Sequence, residues 1–126
     1  MRKRWVLLVA LVIAGLAVWG CQQRFSDWEA SGNQAHAAAY KAFMADLPSE
    51  GCVTPEHVST LAQQRGWAVR VEPEFHWCHK PTGIGAWLRV AVEPALPFST
   101  DDENAAFFAF DAAGCSVEWS YSSCAD

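Results

Sequence analysis

The chain has 126 residues, of which 52% are hydrophobic and 18% are charged. This composition excludes an intrinsically disordered chain, and the length suits one small domain. Nine basic residues against 14 acidic ones give a formal net charge of -5, which argues against a surface that binds nucleic acid.

The first twenty residues predict a membrane-targeting helix. A basic cluster, Arg2 to Arg4, precedes a run of 16 uncharged and mostly apolar residues from Trp5 to Gly20. This order is typical of a secretion signal or a signal anchor. As a helix the run would be about 24 Å long, against about 30 Å for the hydrocarbon core of a bilayer. The basic cluster predicts that the N-terminus stays in the cytoplasm and that the rest is exported.

A cysteine follows the apolar run directly. The segment Val18-Trp19-Gly20-Cys21 resembles the cleavage motif of bacterial lipoproteins, in which small residues precede a cysteine that becomes lipidated. Gly20 and Cys21 match that motif, whereas Trp19 is larger than the residue usual there. The resemblance implies cleavage before Cys21, lipidation of Cys21 and, because Gln22 follows, an outer-membrane location. An uncleaved anchor in the inner membrane and a freely secreted product are the alternatives.

Four further cysteines follow in the exported part: Cys52, Cys78, Cys115 and Cys124. Because an exported domain enters an oxidising compartment, we expect two disulfides among them. If residues 116–122 form a strand, Cys115 and Cys124 lie about 30 Å apart, which is too far for a disulfide. Two pairings remain open: Cys52–Cys115 with Cys78–Cys124, or Cys52–Cys124 with Cys78–Cys115.

The exported part is more acidic than the whole chain. Without the three basic residues of the N-terminus, six basic residues face 14 acidic ones, a net charge of -8. Such a domain repels anionic lipid and nucleic acid. A surface charge that keeps the domain soluble is the favoured interpretation, and a cationic partner is the alternative.

Two short helices are predicted after a polar tether at residues 22–33. From about Gln34 the residues favour a helix, with a start near Asp27 as the alternative. An apolar stripe with a spacing of four residues lies on this helix, and Pro48 ends it. A second helix begins at Thr54-Pro55-Glu56, where Thr54 suits the N-cap, and it stops at Gly66.

The period of the apolar residues changes from 3.6 to 2 after Gly66. Segments within 67–72, 87–93 and 117–122 alternate apolar and polar residues, which predicts antiparallel strands with one buried face. Thr100 and Glu103 would suit a helix capping box before residues 105–110. However, the phenylalanines at 105–110 favour a strand, and residues 111–114 suit a hairpin loop.

The predicted fold class is therefore α+β. An N-terminal membrane-targeting helix precedes two short helices packed on a disulfide-stapled antiparallel sheet of three to four strands. The predicted organisation is a signal peptide or signal anchor at 1–20, a lipidated cysteine and polar tether at 21–33, and an exported α+β domain at 34–126.

The predicted closing hairpin has the pattern Phe-x-Phe-Asp-x-x-Gly-x-x-x-x-Trp, formed by Phe108, Phe110, Asp111, Gly114 and Trp119. Together with a polar start and two short helices, this pattern resembles the small outer-membrane assembly lipoproteins of the two-helix, three-strand kind. The four cysteines of the exported part depart from that family. The resemblance therefore implies the fold and the compartment, and not the family's role in assembly.

Residues 76–79 contain the most suggestive chemical cluster. His76, His79 and the thiol of Cys78 could ligate zinc or copper, but a disulfide at Cys78 with both histidines on an exposed loop is the favoured interpretation. The tryptophans of the sheet region are expected to fill the core of a small domain. The alternative is an exposed interface, for which the candidates are Trp77 on this loop and Trp87 on the face opposite the apolar residues of its strand.

The sequence contains no credible catalytic set and predicts no cofactor. We therefore expect a non-catalytic binding module that is tethered to the membrane and binds a protein of the cell envelope. A periplasmic inhibitor of a cationic enzyme such as lysozyme, and a metal-binding envelope protein, are the alternatives.

Overall fold

A computed structural model of the protein describes residues 2–72 and 83–117. These residues form an α+β fold, as predicted, with two helices and a four-stranded antiparallel sheet. The elements in chain order are α1 (Arg2–Asp46), α2 (Pro55–Gln64), β1 (Val69–Glu72), β2 (Ile84–Ala91), β3 (Ala105–Asp111) and β4 (Ser116–Val117).

Helix α1 is a single element of 45 residues. The predicted membrane-targeting helix, polar tether and first short helix are therefore continuous, and the prediction of a separate helix from Gln34 is wrong. Residues 22–33 contain no proline and one glycine, Gly32, so nothing in this stretch ends a helix. Its glutamines, serines and charged residues are typical of an exposed helix surface as well as of a tether. The helix ends at Asp46, just before Pro48, as predicted.

Helix α2 begins and ends at the predicted residues. Thr54 is the N-cap, and its Oγ1 accepts a hydrogen bond from the backbone N–H of His57 over 3.3 Å. His57 returns the bond, because its Nδ1 accepts from the backbone N–H of Thr54 over 3.2 Å. Gly66 follows the helix with φ 73°, a left-handed conformation that favours glycine.

The four strands lie in the order β1-β2-β3-β4. Leu88 on β2 faces Phe108 on β3, and Val90 faces Ala106, so that these four side chains share one face of the sheet. Residues 105–110 form a strand, as predicted, and a tight turn with Gly114 at φ 79° leads into β4. The structure describes β4 over two residues, and the remainder of the predicted last strand lies outside the described residues.

The hydrophobic core lies between the two helices and one face of the sheet. Phe43 of α1 is fully buried, and its ring stacks on Trp67 with 5.1 Å between centroids and contacts Phe108 at 6.0 Å. The guanidinium of Arg65 lies 5.7 Å from the Phe43 ring centroid and pairs with the carboxylate of Asp46. The last turns of α1 are thus fixed to α2 and to the sheet.

The Phe43→Ala substitution is expected to lower the free energy of unfolding by about 3–5 kcal/mol, because it removes a fully buried ring and leaves a cavity. The matched control is Met44→Ala on the next position of α1, where the side chain is 41% exposed and the expected loss is below about 1 kcal/mol. Chemical denaturation of the two variants checks this prediction. Equal losses would contradict the placement of Phe43 in the core.

Candidate functional site

One face of α1, continued by the residue after its end, contacts the rest of the domain from Phe25 to Leu47. Successive members of this face, which we call the α1 stripe, are separated by three or four residues. Six steps cover the 22 positions from the first member to the last, about 3.7 residues per step, close to the 3.6-residue turn of a helix. The members of the α1 stripe are Phe25, Trp28, Gly32, His36, Ala39, Phe43 and Leu47.

The C-terminal half of the α1 stripe packs on the core. Phe43 belongs to the core, and Ala39 and Leu47 pack against it on either side. The N-terminal half instead contacts the loop that joins β2 to β3. From Phe25 to Phe43 the helix therefore holds the domain over about 27 Å of its axis.

The β2–β3 loop approaches α1 closely at two positions. His36 donates a hydrogen bond from Nδ1 to the carbonyl oxygen of Pro94 over 2.8 Å. One turn earlier, a Cβ atom placed on Gly32 would lie 2.6 Å from Cγ of Pro97, so this approach requires a residue without a side chain. These two contacts fix the loop beside the helix.

The tip of the loop forms an exposed cluster of three aromatic rings with α1. Phe98 has its ring centroid 5.4 Å from that of Phe25 and 5.6 Å from that of Trp28, which it meets edge to face. Phe25 and Trp28 lie 6.0 Å apart. The three residues, which we call the aromatic cluster, are 49% (Phe25), 55% (Trp28) and 76% (Phe98) exposed. Phe98 has φ 55°, a conformation uncommon for an aromatic residue.

Hydrogen bonds within the loop hold this conformation. Oδ1 of Asn104 accepts from the backbone N–H of Leu96 over 2.6 Å and from the hydroxyl of Ser99 over 2.8 Å. Thr100 and Glu103 form the reciprocal bonds of a capping box, but a turn and then β3 follow, so no helix starts there. The backbone N–H of Thr100 stabilises the Glu103 carboxylate and lowers its pKa. The hydrogen bonds within the loop therefore fix the position of Phe98.

An open cleft of about 320 Å³ lies where α1 meets α2. Leu47 and Leu61 supply apolar surface, and Asp46 and Glu56 also line the cleft. The Asp46 carboxylate is paired with Arg65, so Glu56 is the carboxylate left for a ligand. Hydrogen bonds from its own backbone N–H and from the Thr54 side chain lower the pKa of Glu56, which is therefore ionised at neutral pH. Apolar walls beside a carboxylate suit a cationic side chain that has an aliphatic stem.

The disulfide prediction is confirmed for one pair. Cys52 and Cys115 are bonded, with their Cα atoms 5.0 Å apart, so the alternative that paired Cys52 with Cys124 is wrong. The bond joins the α1–α2 linker to the β3–β4 turn. Cys21 is exposed and unbonded on α1. Cys78 and Cys124 lie outside the described residues, and their pairing with each other stays a prediction.

Trp87 is buried, as expected of the tryptophans that fill the core, and is not the exposed interface residue offered as the alternative. Its side chain is 3% exposed, although it lies on the face opposite Leu88. Its neighbour across the β2–β3 pair, Ala109, is fully buried as well. Alternation along β2 correctly separated the two faces of the sheet, but it could not show that the second face is also covered.

The other predicted site residues cannot be placed. Trp77, His76 and His79 lie outside the described residues, so the interface at Trp77 and the metal site at His76 and His79 stay predictions. In the part of the chain that the structure describes, no group of three or more His, Cys, Asp or Glu side chains is arranged to hold a metal ion.

The aromatic cluster was not predicted from the sequence. The spacing of the α1 stripe continues backwards from Phe43 to Trp28 and Phe25, and this periodicity could have identified both rings. Phe98 offers no such signal, because it lies in a loop and meets Trp28 across 70 positions of the chain.

Comparison of the chain with models of protein families, with characterised proteins and with solved structures finds no match. The likeness to the two-helix, three-strand assembly lipoproteins stays a prediction.

Replacing both bonded cysteines, as Cys52→Ser with Cys115→Ser, is expected to lower the free energy of unfolding by about 2–5 kcal/mol. The bond joins cysteines that are 63 positions apart in the sequence. Its loss raises the conformational entropy of the unfolded chain and so favours unfolding. Cys21→Ser is the matched control and should leave stability unchanged, since that thiol is exposed and unbonded. Denaturant unfolding measures all three proteins, and a double variant as stable as the parent would contradict the assignment.

Proposed function

We propose that the protein is a membrane-tethered protein of the cell envelope whose exported domain acts as a non-catalytic binding module. The observation that carries this proposal is the continuity of α1, which runs from the apolar N-terminal segment to Phe43 in the core. A helix that is apolar at one end and packed into a domain at the other is suited to hold that domain beside a membrane.

The N-terminal part of α1 has the surface of a membrane segment. Its large apolar side chains, from Trp5 to Trp19, are all exposed, and none packs on the domain. By length and composition this part of the helix could cross a membrane, although a signal sequence has the same properties. The basic cluster at residues 2–4 supports a domain on the exported side of that membrane.

Cys21 is the proposed lipidation site. It lies on α1 directly after the apolar run and is exposed. Cleavage before Cys21 and acylation of its thiol would tether the domain to the outer membrane, whereas an uncleaved helix would hold it at the inner membrane. In both forms α1 connects residue 22 to the core in the same way.

The binding role rests on the acidic surface and on the cleft between α1 and α2. An ionised Glu56 beside Leu47 and Leu61 suits a lysine or arginine of an envelope protein. The same cleft suits a cationic enzyme such as lysozyme, and loss of lysozyme activity on adding the protein would favour the inhibitor.

The tether is tested by the intact mass of the protein from host membranes, before and after reduction and alkylation. We expect a chain that lacks residues 1–20, carries acyl chains and has no free thiol before reduction. The Cys21→Ala variant is the matched control and should carry no acyl chain. A full-length chain in the membrane without acyl groups would contradict lipidation and show an uncleaved anchor. An unmodified chain in the soluble fraction would contradict the tether itself.

A further inference from the structure

The geometry points to a second contact between the domain and the membrane: we propose that the aromatic cluster of Phe25, Trp28 and Phe98 inserts into the headgroup region of the bilayer. The binding partner is the lipid–water interface on the exported side. This inference rests on the proposed membrane tether and adds a docking surface to it.

The depth of the aromatic cluster follows from the continuity of α1. A hydrocarbon core of about 30 Å takes about 20 helical residues. If it begins at Trp5, it ends near Arg24, one residue before Phe25, so that the polar residues 22–24, which follow the apolar run of about 24 Å, lie at its outer boundary. Trp28 then lies about 6 Å outside the hydrocarbon, within a headgroup region about 5–8 Å deep.

If the chain is cleaved and lipidated instead, the aromatic cluster again lies close to the membrane surface. Acyl chains on Cys21 hold that residue at the membrane surface, and Phe25 and Trp28 follow about 6 and 10 Å further along the helix axis. The cleaved chain has no membrane-spanning helix to fix its angle, so α1 can tilt toward the face that carries both rings and bring them closer to the lipid. The inference therefore holds for either form of the anchor.

The chemistry of the aromatic cluster fits this depth. Tryptophan is enriched where a membrane meets water, because its ring is apolar and its N–H can hydrogen-bond. The three rings form one exposed patch at the base of an acidic domain. Arg24 adjoins it, but so do Asp27 and Glu29, so the patch has no excess of positive charge to attract anionic lipid. Burial of apolar rings is the expected source of binding.

The β2–β3 loop needs no rearrangement to dock. The contacts of Pro94 with His36 and of Pro97 with Gly32 already hold the loop against α1. Phe98 is therefore presented at the same level of the helix as Phe25 and Trp28. The Phe98 side chain is 76% exposed, so it can contact lipid without a change in the loop.

The test uses the full chain in phosphatidylcholine vesicles with a photoreactive aromatic residue, Phe98→p-benzoylphenylalanine. On irradiation we expect a covalent adduct with lipid. The matched control is Met44→p-benzoylphenylalanine. Met44 lies on α1 about 24 Å beyond Trp28 along the helix axis, away from the proposed membrane surface, and should give no lipid adduct. The adduct at position 98 should persist at about 1 M salt, where the Debye length is about 3 Å, since the contact is apolar.

Flotation of the same vesicles separates failure of this inference from failure of the tether. A chain that floats with the vesicles but gives no lipid adduct at position 98, or only a protein–protein adduct there, overturns the docking surface and leaves the tether intact. Lipid adducts at positions 98 and 44 alike, or an adduct lost in salt, also overturn it. A chain that does not float refutes the tether and the docking surface together.

Discussion

The packing of one face of α1 on the domain is the contact on which the rest of the structure depends. Phe43 enters the core from this face, and Gly32 and His36 receive the β2–β3 loop two to three turns earlier. Because α1 has no break between the apolar segment and this face, the helix sets how the domain is oriented about the anchor. Inserting one residue within residues 21–24 would therefore rotate the domain by about 100° relative to the anchor. If residues 21–24 were a flexible tether, the same insertion would leave the orientation of the domain unchanged.

The sheet is held to α1 at both of its ends. The β2–β3 loop meets the helix at Gly32 and His36, whereas the opposite end of β3 is tied through the Cys52–Cys115 bond to the linker that follows α1. The hydrogen bond from the Ser116 N–H to the carbonyl oxygen of Val53, 2.8 Å long, lies next to this disulfide and supports the same end. These contacts join a short helix and a small sheet to a long helix as one unit.

Local signals in the sequence predicted most of the fold. The Thr54 cap, the stop at Gly66 and the alternation along β2 each report conformational preferences of a few neighbouring residues, and the structure confirms them. The polar composition of residues 22–33 could not distinguish a tether from an exposed helix, because both are hydrophilic. Burial of Trp87 and the position of Phe98 depend on residues distant in sequence, so no local pattern encodes them.

Amide hydrogen exchange of the full chain in lipid bilayers tests the continuity of α1 most directly. If the helix is continuous, the backbone N–H groups of residues 22–33 are protected by helical hydrogen bonds and exchange about as slowly as those of residues 36–46, which pack on the domain. Residues 22–33 that exchange at the rate of an unstructured chain, beside protected residues 36–46, would show a flexible tether and contradict a domain held in place by its helix.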